Sequence, residues 1–146
     1  MGRILSIDYG QKRVGFAVTD ELQICAHALE TVPVAKAFDF VKEYIRKEKV
    51  DTIVVGQPKK MNNTDSEAAR FIEPFVNRLR KEITDIAIVR FDERFTSKMA
   101  FQTLIDSGVN KKTRAKKELI DKISATIILQ SFLISLNNNH TIISNT

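Results

Sequence analysis

The sequence predicts an α/β domain in which helices pack against a mixed β-sheet. Three observations support this prediction: three β-rich runs follow one another at the start of the chain, helical and strand-like segments then alternate, and a long apolar helical segment comes last. A length of 146 residues, 43% of them hydrophobic, suits a single domain, which we place at residues 1–137. We expect the asparagine-rich tail at 138–146 to be disordered.

The first half of the chain predicts a three-stranded meander followed by a helix. Arg3–Tyr9 and Val14–Asp20 are rich in β-formers, and the glycine-containing link between them suits a hairpin. Ile24–Val32 continues the meander. After Pro33, apolar residues recur at helical spacing up to Lys49, which predicts an amphipathic helix on one face of the sheet.

The second half predicts two more strands with helices around them. Thr52–Val55 is a short buried strand, and Ile86–Phe91 is the next one. A polar loop and a helix lie between them, and Pro74 should kink that helix or make it restart. A helix capped by Thr96 or Ser97 and a long final helix complete the domain.

Cysteine content and hydropathy exclude several classes of protein. The one cysteine, Cys25, rules out an internal disulfide framework and leaves a thiolate zinc site without partners. No apolar run is long enough to span a bilayer or to act as a secretory signal. We therefore expect a cytoplasmic protein with no membrane partner, and the sequence leaves both monomer and homodimer open.

The charge balance makes a nucleic acid a candidate partner. Lysine and arginine number 23 against 18 aspartates and glutamates, and the formal net charge is +5. Five of the seven residues at 111–117 are basic, although such runs are also found in solvated loops. The candidate nucleic-acid-binding residues are Lys12, Arg13, Arg94, Lys111, Lys112, Arg114, Lys116 and Lys117.

Three acidic residues interrupt apolar segments. Asp8 follows the apolar run of the first strand, Glu93 follows the last strand, and Asp121 breaks the apolar start of the final helix. A carboxylate is costly to bury without a cation or donors, although Asp8 could also form a strand-end turn with Gly10. If the three acids converge, they need a metal to neutralise them, and oxygen ligands favour Mg²⁺ or Mn²⁺. Two such ions can activate water and clamp a phosphodiester, so we infer phosphodiester hydrolysis.

Four motifs resemble those of one protein family. They are D-Y-G-Q-K-R-V-G at 8–15, V-V-G-Q-P with M-N-N-T at 54–64, D-E-R-F-T-S at 92–97, and the helix at 120–129. In this order they resemble the YqgF/RuvX family of pre-16S rRNA nucleases, which are related to Holliday junction resolvases. Gln57 and Asn63 depart from the family pattern in the second motif.

The resemblance implies a three-layer RNase H-like fold, with a mixed five-stranded sheet and helices on both faces. It implies a hydrolase of ester bonds in which Asp8, Glu93 and Asp121 are both the catalytic residues and the ligands of Mg²⁺ or Mn²⁺. Its substrate would be structured nucleic acid, above all the 5′ end of the pre-16S rRNA in ribosome biogenesis. Related resolvases carry a fourth acid in the last helix, and here only Glu118 could take that part.

Three alternatives remain open from the sequence. A Holliday junction resolvase would use the same acids on branched DNA and would form a two-fold dimer. An ATPase of the sugar-kinase and actin type would use the first hairpin as a phosphate loop, but such proteins have two related domains. A non-catalytic assembly factor would bind rRNA through its basic residues alone.

Overall fold

The computed structural model describes residues 2–57, 68–92 and 117–144, and gives the backbone alone at 68–69, 117–123 and 138–144. The elements are β1 (Arg3–Tyr9), β2 (Arg13–Thr19), β3 (Ala26–Pro33), α1 (Val34–Lys47), β4 (Val50–Gln57), α2 (Ala68–Glu82), β5 (Ala87–Asp92) and α3 (Lys117–Ser144). The strands form a sheet in the order β3-β2-β1-β4-β5. β1 and β3 are antiparallel to β2, whereas β4 is parallel to β1 and β5. The predicted α/β class with a mixed five-stranded sheet is therefore confirmed.

The alternation of side chains along β1 divides the domain into layers. Leu5 and Ile7 point into a core that α1 and α2 complete, and both are fully buried. Ile4 belongs to a second core on the opposite face, which α3 covers. The helices thus lie on both faces of the sheet, as the resemblance implied.

The two helices on the first face present apolar stripes at helical spacing. In α1 the buried residues are Ala37, Phe38 and Val41, and in α2 they are Ile72, Phe75, Val76, Leu79. α2 continues through Pro74 without the restart that the sequence predicts. Proline has no backbone N–H to donate to the carbonyl of Arg70, four residues earlier in the helix. Because Arg70 is exposed, water can reach this part of the helix.

The last helix covers the second face. Its buried apolar residues form one cluster with residues of three adjacent strands, Ile4, Ala17 and Val54; they are Ala125, Ile128, Leu129, Phe132 and Leu133. The backbone stays helical to Ser144, beyond the boundary that we expected at residue 137. The single domain at 1–137 stays a prediction.

The start of β3 also differs from the sequence expectation. β3 begins at Ala26 because Ile24 and Cys25 donate their backbone N–H groups to Asp20 Oδ1 at 2.9 and 2.8 Å. Gln23 has a φ of 58°, which turns the chain within this loop. No helix within the described ranges is both long and apolar enough to cross a membrane. The predicted helix after Thr96 lies outside the described residues.

Candidate active site

Asp8 lies near the carboxyl end of β1, on the face of the sheet that α3 covers. Two positions earlier on the same face, the buried Ser6 donates its hydroxyl to the Ala125 carbonyl of α3 at 2.9 Å. Two positions before that, Ile4 belongs to the hydrophobic core that α3 completes. Asp8 is thus the next residue on this face, and it is half-buried.

Glycines flank Asp8 on both neighbouring strands. Gly15 of β2 is the direct partner of Asp8, and paired residues of adjacent strands share a face. On the other side Ile7 pairs with Val55 of β4, so Asp8 lies level with Gly56. Neither glycine places a side chain beside the Asp8 carboxyl group, and both glycines are buried. Both glycines belong to the motifs at 8–15 and 54–64.

α3 runs antiparallel to β1. Ser6 meets Ala125, whereas Leu133 and Asn137, later in α3, lie beside Ala26, which is level with the start of β1. Asp121 lies four residues before Ala125, one helical turn closer to the start of α3. Its backbone belongs to the described part of the chain, and its side chain does not. The same holds for Glu118.

β5 ends at Asp92, level with Gln57 at the end of β4. The carboxyl ends of β1, β4 and β5 therefore lie at one edge of the sheet, where open α/β sheets place their sites. Glu93 follows Asp92 directly in the chain and lies outside the described residues. Among the side chains that the structure describes, no three acids, histidines or cysteines form a metal-binding group.

A basic hairpin joins β1 to β2 at this edge. Gly10 donates its N–H to the Arg13 carbonyl at 2.9 Å, and a Cβ on Gly10 would lie 2.6 Å from that oxygen, so glycine is required there. Val34, the first residue of α1, donates to the Lys12 carbonyl at 3.0 Å. Lys12 is exposed and Arg13 half-buried, so the hairpin presents basic side chains beside the end of β1.

The other candidate nucleic-acid ligands remain predictions. Arg94, Lys111, Lys112, Arg114 and Lys116 lie outside the described residues, and Lys117 begins α3 with its backbone alone described.

Two side chains near Asp8 were not anticipated. Ser6 links β1 to α3 at the level just before Asp8. A serine at a fully buried strand position is a recognisable signal, because its hydroxyl must find a partner. Tyr9, the next residue after Asp8, packs its ring 4.8 Å from that of Phe75. Burial raises the pKa of the Tyr9 hydroxyl.

Comparisons with known proteins identify related sequences over most of the chain. The RuvX family model, described as Holliday junction resolvase, matches residues 2–135. A protein of Flavobacterium johnsoniae named "Putative pre-16S rRNA nuclease" is 56% identical over 135 residues, which cover 92% of this chain and 98% of the relative. A protein of Phocaeicola vulgatus with the same name is 58% identical over 135 residues, covering 92% of this chain and 97% of the relative.

Two solved structures share the fold. Thermus thermophilus RuvC, solved in complex with a Holliday junction substrate, matches with a TM-score of 0.58 and 14% identity, covering 90% of this chain and 94% of RuvC. The fowlpox virus Holliday junction resolvase matches with a TM-score of 0.52 and 13% identity, covering 91% and 99%. This likeness confirms the predicted RNase H-like fold.

Proposed function

Since the chain belongs to the RuvX family, and is therefore a nuclease that hydrolyses phosphodiester bonds, we propose that it processes the 5′ end of the pre-16S rRNA in the cytoplasm. The substrate follows the name of its relatives, two of which are more than half identical over nearly their whole length. We further propose that Asp8, Glu93 and Asp121 are its catalytic residues and that they hold Mg²⁺ or Mn²⁺.

The position of Asp8 carries this proposal. Asp8 is two strand residues beyond Ser6, a rise of about 6.8 Å. Asp121 is four helical residues before Ala125, a rise of about 6 Å in the opposite chain direction. Because the Ser6–Ala125 hydrogen bond fixes the two elements at one level, these nearly equal rises support a meeting of Asp8 and Asp121 at the next level.

Strand alternation supports Glu93 as the third member. Val89 and Phe91 of β5 pack on the side of α3, so the next position of this face is 93. Gly56 pairs with Phe91 and lies level with Asp8. Because Gly56 has no side chain, β4 places no side chain between the two proposed acids at this level.

The proposed donors fit a hard divalent cation. Three carboxylates offer oxygen ligands, which Mg²⁺ and Mn²⁺ prefer. The described sulfur and imidazole groups, Cys25 and His27, lie at the start of β3, at the opposite end of the sheet. When bound, the metal would supply activation of water and stabilisation of charge on the phosphate. The chain's own carboxylates would orient the ion, and Lys12 and Arg13 would bind the neighbouring phosphates.

The first test compares cleavage of a pre-16S rRNA 5′ region by the wild type and by Asp8→Asn in Mg²⁺. We expect Asp8→Asn to lower the rate at least about 100-fold, because a ligand of the ion loses its charge, while the melting temperature and the affinity for RNA are kept. Asp85→Asn is the matched control, since Asp85 is exposed before β5, at the other end of the sheet. Equal cleavage by the wild type and Asp8→Asn would refute the mechanism.

Branched DNA is the second candidate substrate. The family is described as Holliday junction resolvase, and a two-fold dimer would suit a junction. The same assay with a four-way DNA junction decides between the two: faster cleavage of the junction than of the RNA, by a dimer, would favour resolution. A non-catalytic assembly role instead requires that Asp8→Asn supports normal rRNA maturation in cells.

A further inference from the structure

We infer that an aromatic pocket beside the end of β1 receives one unpaired nucleobase of the substrate. The inference rests on the proposed function, since it concerns the nucleic acid that is cut at Asp8. It adds a requirement that the active-site acids do not impose: a nucleotide next to the cleaved bond must be free of base pairing.

The pocket lies between α1 and α2, on the face of the sheet opposite to α3. It encloses about 270 Å³, and Tyr9, Phe38, Phe71, Phe75 and Arg78 line it. This volume is below that of cavities for drug-sized ligands, so it suits a single flat group. The rings of Phe38 and Phe75 meet edge to face at 6.5 Å, which gives the pocket a rigid aromatic base.

Phe71 has an aromatic ring whose position is not explained by packing in the core. It is 52% exposed and belongs to neither hydrophobic cluster. The other large apolar side chains that are exposed in the described ranges, Leu22, Ile24 and Leu136, are aliphatic. An exposed ring at the mouth of an aromatic pocket offers a stacking surface, which any base can use.

The charges around the pocket suit a nucleotide rather than an apolar protein side chain. The Arg78 guanidinium lies 3.8 Å from the centre of the Phe38 ring, although it also pairs with Glu82. The exposed Lys12 is beside the first residue of α1 through the 3.0 Å Val34–Lys12 hydrogen bond. The first turn of α1 contains no acidic residue. The phosphate of a stacked nucleotide would add a negative charge near these positive groups, which an aliphatic side chain would not.

The pocket is next to the proposed site of cleavage. Tyr9 lines it and follows Asp8 directly, but strand alternation turns the two side chains to opposite faces. A single strand that crosses the end of β1 would therefore present a phosphate at Asp8 and the neighbouring base at Tyr9 and Phe71. A paired base could not leave its duplex to reach the pocket without a cost.

The test measures binding of two RNAs in the Asp8→Asn background, so that the RNA stays intact. One RNA carries an unpaired 2-aminopurine next to a helix, and the other is the fully paired duplex. We expect Phe71→Ala to weaken binding of the unpaired RNA about fivefold or more, as loss of one stacked base does, and to leave the duplex within about twofold. We expect Phe71→Tyr to restore the affinity and the stacking-dependent quenching of 2-aminopurine.

Leu22→Ala is the control, because Leu22 is also exposed, at 65%, but lies in the loop before β3 at the far end of the sheet. Unchanged binding of the unpaired RNA by Phe71→Ala, or equal weakening of both RNAs, would overturn the inference. So would loss of rRNA maturation in cells by a Phe71→Ala protein with normal RNA affinity, since that would point to a protein partner. None of these results bears on cleavage, which the Asp8→Asn comparison tests separately.

Discussion

Ser6 sets the level at which β1 and α3 meet, two residues before Asp8 on the same face of the sheet. Its side chain is fully buried, and its hydroxyl bonds to a carbonyl 119 residues away in the chain. Leaving a buried hydroxyl without a partner would destabilise the folded protein. The hydrogen bond therefore favours one register of α3 against the sheet. The position of Asp121 relative to Asp8 would then depend on this contact.

At Ser6 we expect the Ser6→Ala substitution to lower the free energy of unfolding by about 1 kcal/mol, the usual contribution of one buried hydrogen bond. Urea denaturation of wild type and variant measures the difference. Ser135→Ala is the matched control, because the Ser135 hydroxyl donates within its own helix, to the Phe132 carbonyl at 2.7 Å. A loss at Ser135 as large as at Ser6 would contradict the idea that the contact between elements is what matters.

The acids show how far single residues can be interpreted from sequence. Asp8 was identified because a carboxylate ends an apolar strand, and the structure adds the glycines on both sides of it. The periodicity of the sequence could not predict that Gly15 and Gly56 are neighbours of Asp8, because strand order and register bring them there. The convergence of Asp8 with Glu93 and Asp121 stays a prediction.

Among the elements, strands and helices with clear periodicity were predicted close to their observed bounds. β1 matches Arg3–Tyr9, and α1 ends at Lys47 where the pattern extends to Lys49. The predicted and observed bounds differ where local hydrogen bonds or tertiary packing determine where an element begins or ends. Asp20 delays β3 by bonding the two residues before it, and α2 keeps its helix through Pro74 because its apolar stripe packs on the sheet. Secondary-structure propensities alone predict neither effect.

The loop before β3 makes a prediction about pH. The N–H groups of Cys25 and Ile24 hold the pKa of Asp20 below its usual 3.8. A depressed pKa stabilises the fold fully above the unfolded value, and this contribution is lost as the pH falls through the lower folded value. We therefore expect Asp20→Ala to melt below the wild type at pH 7, with a difference that shrinks as the pH falls below 3.8.

Thermal unfolding of both proteins between neutral and acidic pH measures this difference. Asp85→Ala, at an exposed aspartate before β5, controls for the loss of a negative charge. A difference between Asp20→Ala and the wild type that stays constant with pH would show that the carboxylate charge is not what holds the loop.

For the whole molecule, the domain boundary predicted at residue 137 can be tested by truncation. The side chains through which α3 packs on the sheet run from Ala125 to Leu133, whereas Leu136 and Asn137 are exposed. A chain that ends at Asn137 should therefore keep its free energy of unfolding within about 0.5 kcal/mol, as surface changes usually do.

Phe132→Ala is the contrasting variant, because Phe132 is 9% exposed in the core under α3 and its loss should cost about 3–5 kcal/mol. Denaturation curves of the wild type, the truncated chain and Phe132→Ala measure the three free energies of unfolding. A truncated chain that loses as much stability as Phe132→Ala would extend the domain past residue 137.

The packing of α3 on strands that precede it in the chain also has a consequence during translation. While the ribosome is still making the C-terminal part, Ile4, Ala17 and Val54 belong to strands that already exist, and the helix that covers them does not. One face of the β-sheet is then exposed to water or to a chaperone. Nascent chains of this protein should therefore be most prone to aggregate just before the final segment leaves the exit tunnel.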